Sequence, residues 1–162
     1  MAGFVLSDAS PLIGLARVDG LPWLHQLFGK VWIPDEVRRE ILPGKGFAEE
    51  RAILQAEAAG WLHNCGPAPT RPDLPDLDEG ETACIRIALA HNGPALLLMD
   101  ERAGRALAVE HGLRVVGTAA VVGMAKSRGC IDSARKVFER LHASDFRISA
   151  AVIETVLRRV GE

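Results

Sequence analysis

The sequence predicts an α/β fold, a single domain over residues 1–162 built on a central, mainly parallel sheet. Short continuous apolar runs such as ALLLM (95–99) and LRVVG (113–117) alternate with segments of helical period, the pattern of a parallel sheet covered on both faces. With 48% hydrophobic residues among 162, the chain can bury a sizeable core without covalent staples. No internal repeat interrupts the pattern, and the proline-rich run GPAPTRPDLPDLDEG (66–80) reads as an extended surface loop, not a linker between domains.

Each element follows from local signals. GFVLS (3–7) reads as a strand, and Ser10 to about Ala16 as a helix with Ser10 at the cap and Pro11 at the first helical position. KVWI (30–33) is a second short strand, after which Pro34 opens the helix PDEVRREIL, stopped by PGKG at 43–46. A further helix covers about 47–59. Beyond the proline-rich loop the order is helix (81–92), strand (95–99), helix (101–112), strand (113–117) and helix (118–129). Two more helices, near 131–143 and 149–160, finish the chain.

Composition narrows the function classes. Cys65, Cys84 and Cys130 are too far apart in sequence for a close zinc-binding pair, and their odd number offers no disulfide framework, so a reducing, cytoplasmic setting is expected. No run approaches the ~20 apolar residues of a membrane span, and a soluble protein is expected. The net charge of −2 divides unevenly: residues 1–100 hold 14 acids against 8 Lys/Arg, and residues 101–162 hold 7 against 11. A basic C-terminal portion beside an acidic N-terminal one can draw a polyanion toward clustered carboxylates, although charge runs also serve as solvated helix faces.

In open parallel sheets function gathers at the carboxyl ends of the strands. Asp8 follows GFVLS and Asp100 follows ALLLM, so a parallel sheet puts both on one edge. Helix capping is the competing explanation for Asp100, whereas Ser10 and Pro11 release Asp8 from that role. At 100° per residue, Glu81 falls on the face of Cys84, Ile85 and Ala88, and Glu79 falls opposite. A capping box between Asp78 and Glu81 would also place Glu81 there. In PDEVRREIL, Glu40 borders the inward stripe of Ile33, Val37 and Ile41, while Glu36 turns toward solvent. Converging acids repel unless a cation or a shared proton relieves them, and carboxylate oxygens suit Mg2+ or Mn2+. Such ions activate water and steady both oxygens of a phosphodiester under attack.

These residues stand in SDASPLIGLAR, IPDEVRREI, LDEGETACIRIALA and LLLMDERAGRALAVEHGLRVVGTAAVVGMAKSRGCI, followed by the closing DFRISAAVIETVLRRVGE. Across nearly the whole chain the sequence resembles the PIN-domain ribonucleases, most closely a prokaryotic PIN-like branch. The resemblance implies a three-layer α/β/α fold and cleavage of single-stranded or structured RNA. It implies that Asp8, Glu40, Glu81 and Asp100 bind Mg2+ or Mn2+, and since many such proteins act as toxins held by a small antitoxin protein, it offers that partner by analogy. Many relatives carry aspartate where Glu81 stands, and Glu101 can replace or assist Asp100. Ser10 resembles the family's frequent hydroxyl near the first acid.

Arg102 and Arg105 follow Asp100 on neighbouring helical turns, placed to bind substrate phosphates or to pair with the acids. Thr118 reaches the same edge, where it serves the substrate or caps a helix. The histidines show no metal spacing such as HExxH. Trp23, Trp32 and Trp61 are expected in the core or at an interface, and the apolar helices near 10–28 could serve a homodimer. Two other functions stand against the nuclease. One is a PIN-like nucleic-acid-binding or assembly module with little turnover. The other is a phosphoryl receiver or phosphatase using Asp8, Asp100, Thr118 and Lys126, which fits poorly because Asp8 begins DAS, not DxD.

Overall fold

The structure, a computed structural model, describes residues 3–162, so the predicted domain's first two positions lie outside it. The apolar runs form the strands β1 (Val5–Ser7), β2 (Val31–Ile33), β3 (Leu62–Asn64), β4 (Leu96–Leu98) and β5 (Arg114–Val116). All four pairings are parallel, and the order is β3-β2-β1-β4-β5. β1 and β4 are buried at every position, as central strands covered on both faces must be. At the edge, β5 begins on the exposed Arg114.

The helices are α1 (Ala9–Arg17), α2 (Leu21–Phe28), α3 (Asp35–Ile41), α4 (Ala48–Ala58), α5 (Glu79–Ala90), α6 (Arg102–Glu110), α7 (Thr118–Ser127), α8 (Ala134–Ala143) and α9 (Ala150–Arg159). α1 packs on α2, α4, α7 and α8, while α5 packs on β1, β4 and α6. α3 bridges α1, α4 and α5. The sheet lies between these groups, and Leu6, Ile33, Leu97, Leu98, Leu12, Leu24 and Ile85 fill its two faces.

One element, β3, escapes the sequence reading, and α2, which falls within the apolar helices near 10–28, has no clear start signal of its own. α2 starts after Gly20 with no polar cap and carries Pro22 in its first turn. β3 exposes Asn64 and buries only Leu62 fully, so it has neither the apolar run nor the alternation that marks a strand. The tryptophans behave largely as expected: Trp23 and Trp61 are buried, whereas the half-buried Trp32 stacks on His63 with ring centroids 4.6 Å apart.

The strand order sets the place of function. The chain moves from β1 outward through β2 to β3, crosses back to β4 beside β1, and continues outward to β5. The two directions diverge between β1 and β4, which makes that gap the topological switch point. Ser7 is in register with Leu98, and the Asp8 N–H continues the ladder by donating to the Leu98 carbonyl at 2.9 Å. Asp8 and Asp100 therefore leave neighbouring strands one residue apart in register, on the two lips of one crevice.

Candidate functional site

Asp8 begins α1. Its backbone is extended (φ −75°, ψ 174°) and stands at the N-cap, a correction to the placing of that cap on Ser10. Ser10 lies inside the first turn, half-buried, and Pro11 takes the third helical position, where its missing N–H is one the helix leaves unpaired anyway. That proline also removes a donor an N-cap side chain would engage, and the Asp8 carboxylate makes no capping hydrogen bond. Asp8 is thus free of capping, for a different reason than the sequence gives.

Asp8 is 4% exposed, and its carboxyl group lies against the start of α5 at Gly80. A Cβ on Gly80 would lie 2.8 Å from Asp8 Oδ1 and 3.6 Å from Asp78 Oδ1, so the bare glycine backbone lets two carboxylates meet there. Burial pushes the Asp8 pKa up to about 7; the Ala9 N–H opposes this, and Asp78, Glu40 and Asp100 add to it as neighbouring negative charges.

Glu81 is buried, as its helical position predicts. Asp78 caps α5 by accepting the Glu81 N–H at 2.8 Å, which forms one half of the anticipated capping box. The Glu81 side chain does not fold back to the Asp78 backbone; it runs to α6, where a Cβ on Gly104 would come within 2.9 Å of Glu81 Oε2. Burial, then Asp78, then Asp8 and Glu101 raise its pKa to about 8. Glu79, on the opposite face, is exposed and pairs with the equally exposed Arg39 at 3.0 Å.

Asp100 is half-buried and committed to a helix, though not the one that follows it. Its Oδ1 accepts the Thr118 N–H at 2.7 Å and its Oδ2 accepts the Thr118 hydroxyl at 2.8 Å. Thr118 is the first residue of α7, whose N-cap position is Gly117, so the threonine is itself capped. A Cβ on Gly117 would approach Arg105 Nη1 to 2.5 Å and Asp100 Oδ1 to 3.0 Å, so the bare glycine leaves room for both groups, which stay beyond ion-pair distance of each other. Arg102 and Glu101 remain exposed at the start of α6.

Two carboxylates on α3 exchange the environments expected of them. Glu40 is exposed at the rim, and its pKa is raised by partial loss of hydration and by Asp78 and Glu79. Glu36, expected toward solvent, is half-buried beneath the proline-rich loop. Its Oε2 accepts the Ala68 N–H at 3.2 Å, and its Oε1 is buried with no hydrogen-bond partner among the described residues. The sequence makes Asp78 only a cap, yet its charge acts on Asp8, Glu40 and Glu81; the signal lies in the acid density of DLDEGE.

The arrangement gathers Asp8, Asp78, Glu81 and Asp100 around the switch point, with Glu40 at its rim. Among the described residues, no three acidic, histidine or cysteine side chains stand close enough to share one ion. The donor chemistry nevertheless suits a hard divalent cation, since magnesium takes one or two carboxylates and keeps several waters. No arginine or lysine lies within ion-pair distance of Asp8 or Glu81 among the described residues. Lys126 sits at the far end of α7 beside Glu162, so the pocket lacks the lysine of a phosphoryl receiver. All three cysteines are free.

No helix of the described residues is long and apolar enough to cross a membrane. No curated protein sequence matches the chain. Among solved structures it is similar in fold to a PilT N-terminus domain protein from the hyperthermophilic archaeon Sulfolobus solfataricus. The two share 17% identity at a TM-score of 0.52, over 73% of this chain and 89% of that one. A family model described as PIN domain matches residues 4–162. The parallel sheet, the acids at its switch point and this match over almost the entire sequence place the chain in the PIN-domain family, whose fold is generally that of nucleases.

Proposed function

We propose that the chain is a Mg2+- or Mn2+-dependent endoribonuclease that hydrolyses RNA phosphodiester bonds at the acid cluster. The observation that carries this reading is the pair Asp8 and Glu81, buried together without a cationic partner and raised to about 7 and about 8. An enzyme keeps so costly an arrangement when a bound ion relieves it.

In this reading one or two of Asp8, Glu81 and Asp100 would hold the ion directly, and the others, with Glu40 at the rim, would reach it through its waters. When bound, a divalent cation supplies Lewis-acid stabilisation of the phosphoryl oxygens. The chain's own groups do the rest. Near neutral pH Asp8 and Glu81 hold protons for part of the time, Glu81 more than Asp8, and these must be released as a cation enters. Thr118 fixes the Asp100 carboxylate through both its oxygens and leaves each with a free lone pair directed elsewhere. Arg105, beside Asp100, and Arg102, one turn earlier, supply positive charge for the phosphate. RNA is thus the partner, and a small antitoxin protein that silences the chain belongs to the same reading.

The test is cleavage of varied RNAs by the purified chain with Mn2+. Asp8→Asn or a chelator should abolish cleavage; activity unchanged by both refutes the proposal. One observation favours a second reading, a nucleic-acid-binding module with little turnover: the acids do not close on a common ion point. Metal-independent RNA binding without any cleavage would establish that reading instead. Growth arrest on expression, relieved by co-expression of a small neighbouring gene, tests the toxin role.

A further inference from the structure

A groove of about 1000 Å3 opens beside Asp100 and runs away from the acid cluster between α6, α7 and α9. Ser10 and Asp100 line its inner end, Arg102 and Arg105 one flank, and Arg147 and Arg159 the distant part. Arg147 precedes α9 and Arg159 ends it, so that helix carries charge to both ends of its groove-facing side.

These four arginines share with Arg51, Arg114, Arg128 and Arg158 the lack of a partner among the described residues, and what sets them apart is that they gather on one groove. Arg17 and Arg38 are held by glutamates, and Arg86 and Arg135 by backbone carbonyls. Among the described residues the four groove arginines have no hydrogen-bond partner and no acid within 4.0 Å. Between them α9 presents Val152, 45% exposed, beside the half-buried Ile148. The lining therefore combines four unpaired guanidinium groups, set against the three acids Asp100, Glu101 and Asp145, with exposed aliphatic surface.

We infer that this groove is a binding track for one strand of RNA, with Arg147 and Arg159 as phosphate contacts remote from the cleavage centre and Val152 as a surface for an unstacked base. The inference rests on the proposed nuclease reading and adds the path the substrate takes. A single strand matches the lining because it offers phosphates and bases to the same surface, whereas a duplex hides its bases and presents phosphates alone. It also meets the continuity of the groove, for a ligand reaching from Arg159 to Asp100 must be anionic along its length and carry a scissile bond at the inner end. An acidic peptide satisfies only the first of these demands.

Fluorescence anisotropy of the full chain with labelled oligouridylate in chelator isolates binding from cleavage. Arg147→Glu with Arg159→Glu should weaken binding at least about tenfold, and two lost phosphate contacts should flatten the salt dependence by about 1.4 in log–log slope. Lys30→Glu, on the opposite edge of the sheet, should change neither. Val152→Asp should weaken binding to the single strand. All these residues are exposed, and unchanged thermal melts would confirm folding.

Wild-type affinity in the arginine double variant overturns the track, as does equal or tighter binding of a duplex of the same length. An acidic Glu-Leu peptide that binds better than oligouridylate, and loses affinity in the same variant, overturns it in favour of a protein partner. Cleavage that survives without this track leaves the nuclease reading standing, and a track that binds without cleavage leaves the nuclease reading fallen. The two failures are distinct.

Discussion

Asp100 grips Thr118 through both carboxylate oxygens, 2.7 Å from the backbone N–H and 2.8 Å from the hydroxyl, and so ties the end of β4 to the start of α7. The threonine is fully buried. Thr118→Val keeps the shape and removes the hydroxyl, leaving one oxygen of Asp100 without its donor. The expected loss is about 1–2 kcal/mol, in the range of a lost helix cap. Thr118→Ser should recover most of it. Urea unfolding of the three proteins measures both values; equal midpoints would show that the hydroxyl holds nothing.

Gly80 gives a sharper separation of stability from activity. Within a helix, Gly→Ala gains about 1 kcal/mol of propensity. Here the new Cβ would stand 2.8 Å from Asp8 Oδ1 and 3.3 Å from Val37 Cγ2, so the carboxylate must turn away. Gly80→Ala should therefore fold with nearly wild-type stability and lose most RNA cleavage. Gly104→Ala, crowding Glu81 Oε2 and Met99 Sδ, should behave alike if Glu81 takes part. Full activity in both would remove the need for these close approaches.

Burial of Asp8 has a consequence for pH. Its folded pKa of about 7 lies above its ordinary value of 3.8, so between these values the folded chain holds a proton that the unfolded chain has released. Its stabilising contribution is full below pH 3.8 and is lost as pH rises through about 7; Glu81 extends the loss to about 8. Asp8→Asn removes a group that must ionise in an apolar place. At pH 8 it should raise the stability of the metal-free chain by about 1–4 kcal/mol, the upper figure being the full shift. Thermal melts from pH 5 to 8 check this; a variant less stable at pH 8 would mean that the charge is compensated.

Much of this architecture was written locally in the chain. The runs FVL and LLLM, flanked by helical segments, mark buried central strands, and the spacing of Glu81 from Cys84, Ile85 and Ala88 places it inward by helical geometry alone. What escaped was non-local. One helix's own periodicity ranks Glu40 inward of Glu36, but the loop at Ala68, 32 residues away in sequence, covers the flank that bears Glu36. Asp100 caps a helix that begins 18 residues later, a bond no window of sequence displays. β3 exists because β2 offers it a parallel edge, since its own LHN carries almost no strand signal. The shift of the first helix cap from Ser10 to Asp8 has the opposite origin: Pro11 suits more than one position of a first turn, and only the backbone at Asp8 decides between them.

If a divalent ion occupies the cluster, it binds the ionised carboxylates and competes with their protons. Mn2+ should then raise the melting temperature, and the rise should grow from pH 6 to pH 8 as Asp8 and Glu81 give up their protons. At 100 times its dissociation constant the ion contributes about 2.7 kcal/mol. Asp8→Asn should abolish most of this gain while leaving the fold intact. A rise of equal size in the variant would locate the ion elsewhere.

Glu79 and Glu81 stand two residues apart on opposite faces of one helix and should answer oppositely to the same substitution. Glu79 is solvated and paired with an equally solvated Arg39, an interaction worth about 0–1 kcal/mol. Glu79→Gln should thus leave RNA cleavage unchanged and stability within about 0.5 kcal/mol. Glu81→Gln replaces a buried carboxyl with a neutral amide of the same shape, which should preserve or improve stability at pH 8 and reduce cleavage by at least about a hundredfold if the acid holds the ion. Parallel unfolding and cleavage measurements on the two variants decide the assignment. Loss of cleavage in Glu79→Gln with retention in Glu81→Gln would move the third acid to the outer face and detach the site from the switch point of the sheet.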